Sequence, residues 1–513
     1  MFCCSYCCAI VGMEVMIVQV ETDESGGLPF FQMVGFLSSE AKEAKDRVRI
    51  AIQNSGFLFP NRKVTVNLSP ADVHKAGTGF DLAIACSILS VMGQIPQEEL
   101  KQYLIIGELG LDGSIHGTSG VLPMIIKAKE EGFDKCIVPR FNVKEACLVE
   151  GIEVYSFSVL SDVVLFFQGK YTGDALYCSE VPDEKGKEKT YDFCEVQGQQ
   201  VLKRAIEIAV AGMHNILMIG SAGAGKSMIA KRIPGIMPLL TKEEQLEVTK
   251  IYSVAGLLDE QSPLITERPF RAPHHSVTPV AMIGGGRNPK PGEVSLADRG
   301  VLFLDELPEF PRNVIELLRQ PLEDGIVTIS RLNASYPFPA HLMLVCAMNP
   351  CLCGFYPDRN RCSCTTIQRK RYIGKISRPF LDRIDIFAEA YQVDYRELLK
   401  HDQKEETSEE IRNRIIQARQ IQKERYQDTS YHYNSELDGR GIEEYCSLNR
   451  EGTDVLMKIS EKQTLSARSF HKLIKTARTI ADLEGVDRIL PIHIKEAAFY
   501  RESIQKYWRN EVI

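Results

Sequence analysis

Gly220-Ser221-Ala222-Gly223-Ala224-Gly225-Lys226-Ser227 fits the pattern G-x-x-x-x-G-K-[ST] in full. The apolar run Ile216-Leu217-Met218-Ile219 precedes it, and the helix-forming stretch Met228 to Ile233, stopped by Pro234, follows it. A buried strand, a glycine-rich turn and a helix are the context this motif requires. The glycines let backbone N–H groups close around phosphates. Lys226 then reaches the β- and γ-phosphates, and the Ser227 hydroxyl is a magnesium ligand. The loop predicts ATP and Mg2+ as ligands, bound by Gly220, Ser221, Ala222, Gly223, Ala224, Gly225, Lys226 and Ser227.

Two downstream runs complete such a site. Val301-Leu302-Phe303-Leu304-Asp305-Glu306 reads as a buried parallel strand whose C-terminal end carries two acids. Asp305 suits the magnesium shell, and Glu306 suits the orientation and polarisation of an attacking water. Leu342 to Asn349 is a third strand of this kind, ending in a polar amide that can position the water or sense the γ-phosphate.

Outward from this centre, 513 residues allow two to four domains. The formal charge of −7 excludes a wholesale basic nucleic-acid binder, so any such contact must be local. The apolar N-terminus lacks a preceding Lys or Arg, so it reads poorly as a signal peptide, and no run reaches the ~18 apolar residues of a membrane helix. A cytoplasmic location with reduced thiols is expected. Cys3, Cys4, Cys7 and Cys8 then read as small residues in a first strand.

Residues 1–168 read as one α+β domain. Strands are predicted at Val15–Val20, around Val64, Val66 and Leu68, and at 103–106, 136–138 and 154–157. Ala41, Ala44, Val48, Ala51 and Ile52 share a helical face before Gly56. Phe80 to Met92 is apolar nearly all round, as in a buried helix. Residues 169–192 gather charge around Gly186 and read as a linker. Residues 193–395 read as an α/β nucleotide-binding core, and 407–513 as helical. Ile411, Ile415 and Ala418 form one stripe there, and Phe470, Leu473, Ile474, Ala477 and Ala481 a second. Pro491 opens a third helix.

Cys351-Leu352-Cys353 and Cys362-Ser363-Cys364 are two C-x-C pairs separated by eight residues. Four thiolates can close a tetrahedral zinc site, although the usual pairing has two to four residues between cysteines. Unliganded thiols are the alternative reading.

The chain resembles the ComM/YifB family of AAA+ ATPases, related to the motor subunit of magnesium chelatase. The resemblance covers nearly the whole chain. It is carried by Asn67-Leu68-Ser69-Pro70-Ala71-Asp72, Phe270-Arg271-Ala272-Pro273-His274-His275-Ser276, Leu302 to Phe310, Leu381-Asp382-Arg383-Ile384-Asp385 and Ala477 to Leu483. It implies a multidomain α/β protein: an N-terminal Lon-protease-like (ribosomal S5 domain 2-like) α+β domain, an AAA+ P-loop core and a C-terminal helical lid. It also implies a homohexameric ring with ATP bound between subunits. Arg383 then looks like the finger that enters a neighbour's site, and Arg468 like the lid arginine that senses nucleotide. On residues alone, surface or cap charge reads equally well for Arg383 and better for Arg468.

The resemblance further implies translocation on DNA, branched or single-stranded, with branch migration in recombination or natural transformation. Local charge accords with this: eight basic residues and two acids between Asp358 and Arg383 give a net +6. Subunit interfaces of this class need arginines too. Two segments are expected to line a pore, the Gly284-Gly285-Gly286-Arg287 loop and a hairpin within 325–338, and Arg287, Lys290 or Arg331 is expected to touch DNA. His274 and His275 read as loop hydrogen-bonding residues rather than metal ligands.

In the Lon-like domain, Gly79 stands where a protease has its serine, and Leu122 where it has its lysine, so peptide hydrolysis by that dyad is not expected. A chelatase-type motor acting on a partner protein is the alternative function. The presence of the first domain, which that motor subunit lacks in this reading, argues against it. The intact Lys226, Asp305 and Glu306 argue against a passive scaffold.

Overall fold

The computed structural model describes residues 1–72, 74–172, 191–286, 288–331, 335–358, 360–391, 405–463 and 465–508. Most of the expected linker, 173–190, therefore lies outside the described residues, as does Arg287.

The first domain is built on a mixed seven-stranded sheet. Its strands run Phe30–Val34, Lys63–Ser69, Glu14–Ser25, Phe2–Val11, Tyr103–Ile105, Lys135–Pro139 and Glu153–Phe157 across the sheet. Successive side chains on a strand point to opposite faces, and the core divides accordingly. Cys7, Val18, Val66, Leu68, Ile105 and Ile137 face the helices Ser39–Asn54 and Asp81–Val91. Cys8, Leu104, Cys136 and Val138 face the helix Val121–Glu130. Phe2–Val11 is a central strand buried on both sides, which is why small cysteines recur along it. The helix Ser39–Asn54 buries Ala41, Ala44, Val48, Ala51 and Ile52, the face its periodicity predicted. Asp81–Val91 is buried at every position. Thirteen described cysteines are free.

The second sheet is parallel and five-stranded, ordered Phe270–Arg271, Val301–Leu304, Met343–Met348, Ile216–Gly220, Ile386–Ala390. Its strands are continuous apolar runs because both faces are covered. Leu217, Leu302, Leu304 and Leu344 face a cluster with Phe310, Phe338 and Phe380. On the other face, Ile216, Met218, Phe303 and Val345 join the helix Gln200–Gly212 and the C-terminal helices in one core. The lid thus packs as part of the core, through Ile411, Ile415, Leu473, Ala477 and Ile494.

The C-terminal helices are Ser408–Arg425, Gly439–Tyr445, Arg450–Gln463, Ala467–Leu483 and Pro491–Trp508. Gly439–Tyr445 and Arg450–Gln463 were not predicted; Arg450–Gln463 buries only Gly452, Leu456 and Gln463, too sparse a pattern to stand out. Pro234 does not end the helical path as predicted. After the short helix Lys226–Ala230 the chain turns, and Pro234 sits in the first turn of Ile233–Ile236, where a missing N–H costs nothing.

The first domain is seated on the core. The Ser253 hydroxyl, on the core helix Lys242–Ala255, donates to buried Glu145, which also accepts from the Leu122 amide at 2.9 Å and Asn142 Nδ2 at 2.9 Å. The Gly120 amide donates to Ser253 O at 2.9 Å. Gly120 has φ +80°, and a Cβ there would lie 1.9 Å from Ile10 Cδ1, so the close approach requires glycine. Among the described residues, no helix is long and apolar enough to cross a membrane.

Candidate nucleotide-binding site

The parallel register brings three sequence-distant groups to one edge. Ile219 pairs with Met348, so Gly220 and Asn349 leave adjacent strands side by side. Val301–Leu304 pairs with Met343–Cys346, which places Asp305 and Glu306 at the same C-terminal edge. Ligands of open α/β sheets bind at this edge.

Lys226 is buried, and its ammonium donates to Gly220 O at 2.7 Å, Ser221 O at 2.9 Å and Asn349 Oδ1 at 3.1 Å. Burial lowers its pKa, against the opposing charges of Asp305 and Glu306. Gly225 enters the helix Lys226–Ala230 at φ +80°, a left-handed turn that glycine adopts without strain. Ser227 Oγ lies 2.5 Å from Asp305 Oδ2. A hydroxyl and a carboxylate are hard oxygen donors, the set that magnesium uses beside phosphate oxygens and water.

Glu306 has φ +52°, uncommon for a side chain other than glycine, asparagine or aspartate. Its amide donates to Asp305 Oδ1 at 2.9 Å, and its carboxylate is 59% exposed. The turn therefore points Asp305 back towards Ser227 and leaves Glu306 facing open space where a water can stand. His275 Nδ1 is 3.8 Å from Glu306 Oε2, and the His275 ring lies against His274 with centroids 4.0 Å apart and planes tilted by 36°. His274 makes the expected loop hydrogen bond, to Ser276 Oγ at 2.8 Å. The juxtaposition of His275 with Glu306 was missed. Its only trace in the sequence is the His-His pair, which carries no register to the acidic strand end.

Arg383 lies at the opposite edge. Asn215, which precedes the Ile216–Gly220 strand, donates through Nδ2 to Arg383 O at 3.0 Å. The length of that five-residue strand, about 16 Å, separates Arg383 from the loop of its own chain. Arg383 is nearly buried, with Nη2 2.7 Å from Glu323 Oε1 and Nη1 donating to Pro379 O at 2.7 Å. Arg468 Nη2 is 3.8 Å from the same Glu323 oxygen. One carboxylate thus gathers both arginines, a role for Glu323 that the sequence did not suggest. Nearby, Asp385 receives the Lys472 ammonium at 2.7 Å and the Asn215 amide at 2.9 Å. Burial alone raises a carboxyl pKa, but Lys472 and His214 outweigh it and hold Asp385 ionised far below its usual range. This buried pair fastens the helix Ala467–Leu483 to the core.

The hairpin expected within 325–338 forms from Ile326–Ser330 and Ser335–Pro339, and a smaller one from Gly284–Gly285 and Lys290–Pro291. Arg331 Nη2 donates to Gly286 O at 2.6 Å and joins the two tips. Lys290 and Arg331 are exposed there and line a cavity of about 990 Å³ with Phe36, His74 and Gly79 of the first domain. Leu122 is fully buried. The basic run 358–383 is divided by the fold. Arg361 covers the Phe355 ring at 4.2 Å, Arg369 covers Tyr356 at 4.1 Å, Lys375 pairs with Glu309 at 3.1 Å, and Arg383 pairs with Glu323. Arg371 and Arg378 stay exposed, and Arg359 lies outside the described residues.

The four cysteines converge: Cys351, Cys353, Cys362 and Cys364 present sulfurs that all lie within 4.8 Å of one another, a cluster that can hold a zinc ion. A hydrogen bond from the Phe355 amide, with its neighbouring thiols, draws the Cys353 pKa down to about 6.

Three family models cover the chain: magnesium chelatase subunit ChlI at 192–398, subunit ChlI of Mg-chelatase at 20–142, and the ChlI C-terminal region at 405–501. Competence protein ComM of Haemophilus influenzae is 41% identical over 506 residues, 98% of this chain and 97% of ComM. The chain belongs to the magnesium chelatase ChlI family. YifB of Salmonella typhimurium is 40% identical over 96% of both chains. The magnesium-chelatase 38 kDa subunit of Cereibacter sphaeroides is 24% identical over 32% of this chain and 53% of its own. As a ChlI-family protein the chain carries an AAA+ ATPase core, which implies ATP hydrolysis with magnesium. The match at 20–142 removes the argument that the first domain alone sets the chain apart from chelatase motors. The difference in coverage separates them instead.

Proposed function

We propose that the chain is an ATP-driven motor on DNA, assembled as a homohexameric ring, that moves branched or single-stranded DNA during recombination or uptake. The observation that carries the ring is the position of Arg383, a strand length from its own phosphate loop and beside Arg468. In this reading the two arginines serve the site of a neighbouring copy, and Arg468 senses the neighbour's nucleotide rather than its own. DNA as substrate is supported by the full-length similarity to a protein named for competence, and by the joined hairpin tips that expose Lys290 and Arg331. The first domain is read as a Lon-protease-like fold without its dyad, since Gly79 has no nucleophile and Leu122 no base.

The chemistry follows from the groups at the sheet edge. Loop amides and Lys226 take the β- and γ-phosphates, and Lys226 exchanges its carbonyl partners for phosphate oxygens. Magnesium, when bound to Ser227 and Asp305, neutralises charge between the phosphates. Glu306 orients the water and takes its proton, and Asn349 holds the other side of the γ-phosphate. Arg383 of a neighbour stabilises the charge that develops in transfer, so an isolated subunit is a poor ATPase. The four cysteines are read as the seat of a structural zinc ion.

The test is steady-state ATPase with no DNA, linear DNA and four-way branched DNA, with Lys226→Ala as the blank. Stimulation by branched DNA, with strand displacement that requires ATP, is expected. No response to any DNA, alongside intact ATPase, would sink the DNA reading and favour a chelatase-type motor that drives a partner protein.

A further inference from the structure

Three edges of the cysteine cluster match those of a filled site, and the fourth sulfur lies within 4.8 Å of the others. A tetrahedron of sulfurs around zinc at about 2.3 Å has edges of about 3.8 Å. Cys351 Sγ lies 3.4 Å from Cys353 Sγ and 3.8 Å from Cys362 Sγ, and Cys353 and Cys362 are 3.6 Å apart.

The cluster also stands against the phosphate loop. Cys351 follows Asn349 with only Pro350 between them, and the turn it opens closes at Gly354, whose amide donates to Cys351 O at 3.0 Å. A methyl group on Gly354 would lie 3.5 Å from the Ala222 amide nitrogen and 3.9 Å from Asn349 Cγ. Asn349 in turn accepts from Lys226. The turn thus lies within a methyl group's reach of the loop and of Asn349, and Asn349 in turn holds the lysine.

We propose that Cys351, Cys353, Cys362 and Cys364 bind one zinc ion as four thiolates, and that this knuckle is a wall of the nucleotide site whose metal sets ATP affinity. The coupling rests on the reading of Gly220–Ser227 as the ATP loop. Zinc fixes the turn Cys351–Gly354, the turn fixes Ala222 and Asn349, and both keep the loop open to phosphate. A two-residue ring closure between paired cysteines is short, which suits a tight turn whose purpose is to hold one backbone segment rather than to found a separate domain.

The experiment uses the full chain. Metal analysis of purified protein is expected to give one zinc per chain, lost in Cys353→Ser and in Cys364→Ser but kept in Cys364→His. Protein with no zinc, or with iron in its place, overturns the metal assignment. Fluorescent ATP-analogue binding is then compared before and after chelation, with circular dichroism to confirm the fold. Affinity is expected to fall about tenfold on zinc removal and to return when zinc is restored. A second variant, Cys364→His, keeps four ligands and serves as the rescue. It should keep its zinc and bind the analogue within about twofold of the parent, where Cys364→Ser loses both. Cys194→Ser, at an exposed cysteine outside the cluster, should change neither quantity. Zinc-independent affinity, or a zinc-loaded Cys364→His protein that binds the analogue no better than Cys364→Ser, overturns the coupling. Lys226→Ala separates the two readings: if it binds the analogue as the parent does, the ATP loop itself has been misread.

Discussion

Arg383→Ala removes a guanidinium that, by the order of the strands, cannot serve the phosphate loop of its own chain. Asn215 holds its backbone at the start of the Ile216–Gly220 strand, and the loop begins where that strand ends, about 16 Å away. An arginine supplied to phosphoryl transfer from a neighbour contributes about 10³-fold or more in kcat, roughly 4 kcal/mol of transition-state stabilisation. The expected result for Arg383→Ala is therefore a loss of that size in kcat with ATP affinity unchanged. Lys226→Ala has the converse lesion, no phosphate grip but an intact Arg383. In an equal mixture, about one interface in four pairs a sound loop with a sound finger, because a head-to-tail ring takes the two from different copies. The mixture should recover about a quarter of the parent ATPase, from two inactive proteins. The assay is coupled ATPase after mixing and exchange, with binding of a fluorescent ATP analogue as control. An Arg383→Ala protein within threefold of the parent would refute the finger. A mixture no more active than its components would refute action between subunits.

Glu306→Gln should bind ATP normally and lose turnover by about 10²-fold or more, since it leaves the magnesium pair Ser227–Asp305 intact but removes the base; a radiolabelled phosphate-release assay checks this. Asp298→Asn should stabilise the chain at neutral pH. Burial raises Asp298 from 3.8 to about 6, so its ionisation on going from acid to neutral pH opposes folding. Asparagine keeps an acceptor for the His341 amide, now bonded at 2.7 Å, without that cost. The advantage of the variant in denaturant titrations should be about 2 kcal/mol larger at pH 7.5 than at pH 4.5. Lys290→Ala and Arg331→Ala should each flatten the dependence of log DNA affinity on log salt by about 0.9, across all DNA sequences, by fluorescence anisotropy.

Local patterns were legible wherever one contiguous stretch carries both the signal and its consequence. The faces of Ser39–Asn54 and Ser408–Arg425 follow the 3.6-residue period of their apolar residues. The runs 216–219, 301–304 and 342–348 announce themselves as strands because a parallel sheet buries both faces. Pro234 misled because a proline stops one helix and starts another with equal ease. The +6 run at 358–383 shows what a count of charge leaves open. Charge can be counted along a chain, but whether an arginine meets solvent, a ring or a carboxylate is settled by what folds against it, here Phe355, Tyr356, Glu309 and Glu323.

The sequence alone therefore determined the loop Gly220–Ser227 and its ligand class, because turn, lysine and hydroxyl are adjacent and their geometry is local. It also determined the acids at 305 and 306 and the amide at 349 as strand-end groups. Tertiary structure decided the rest. It brought Asn349 onto Lys226, set His275 beside Glu306, gave Arg383 and Arg468 one carboxylate, and laid the four cysteines against the loop. These relations join residues tens to hundreds of positions apart. They depend on sheet order and on which edge each strand meets, and no local period encodes either.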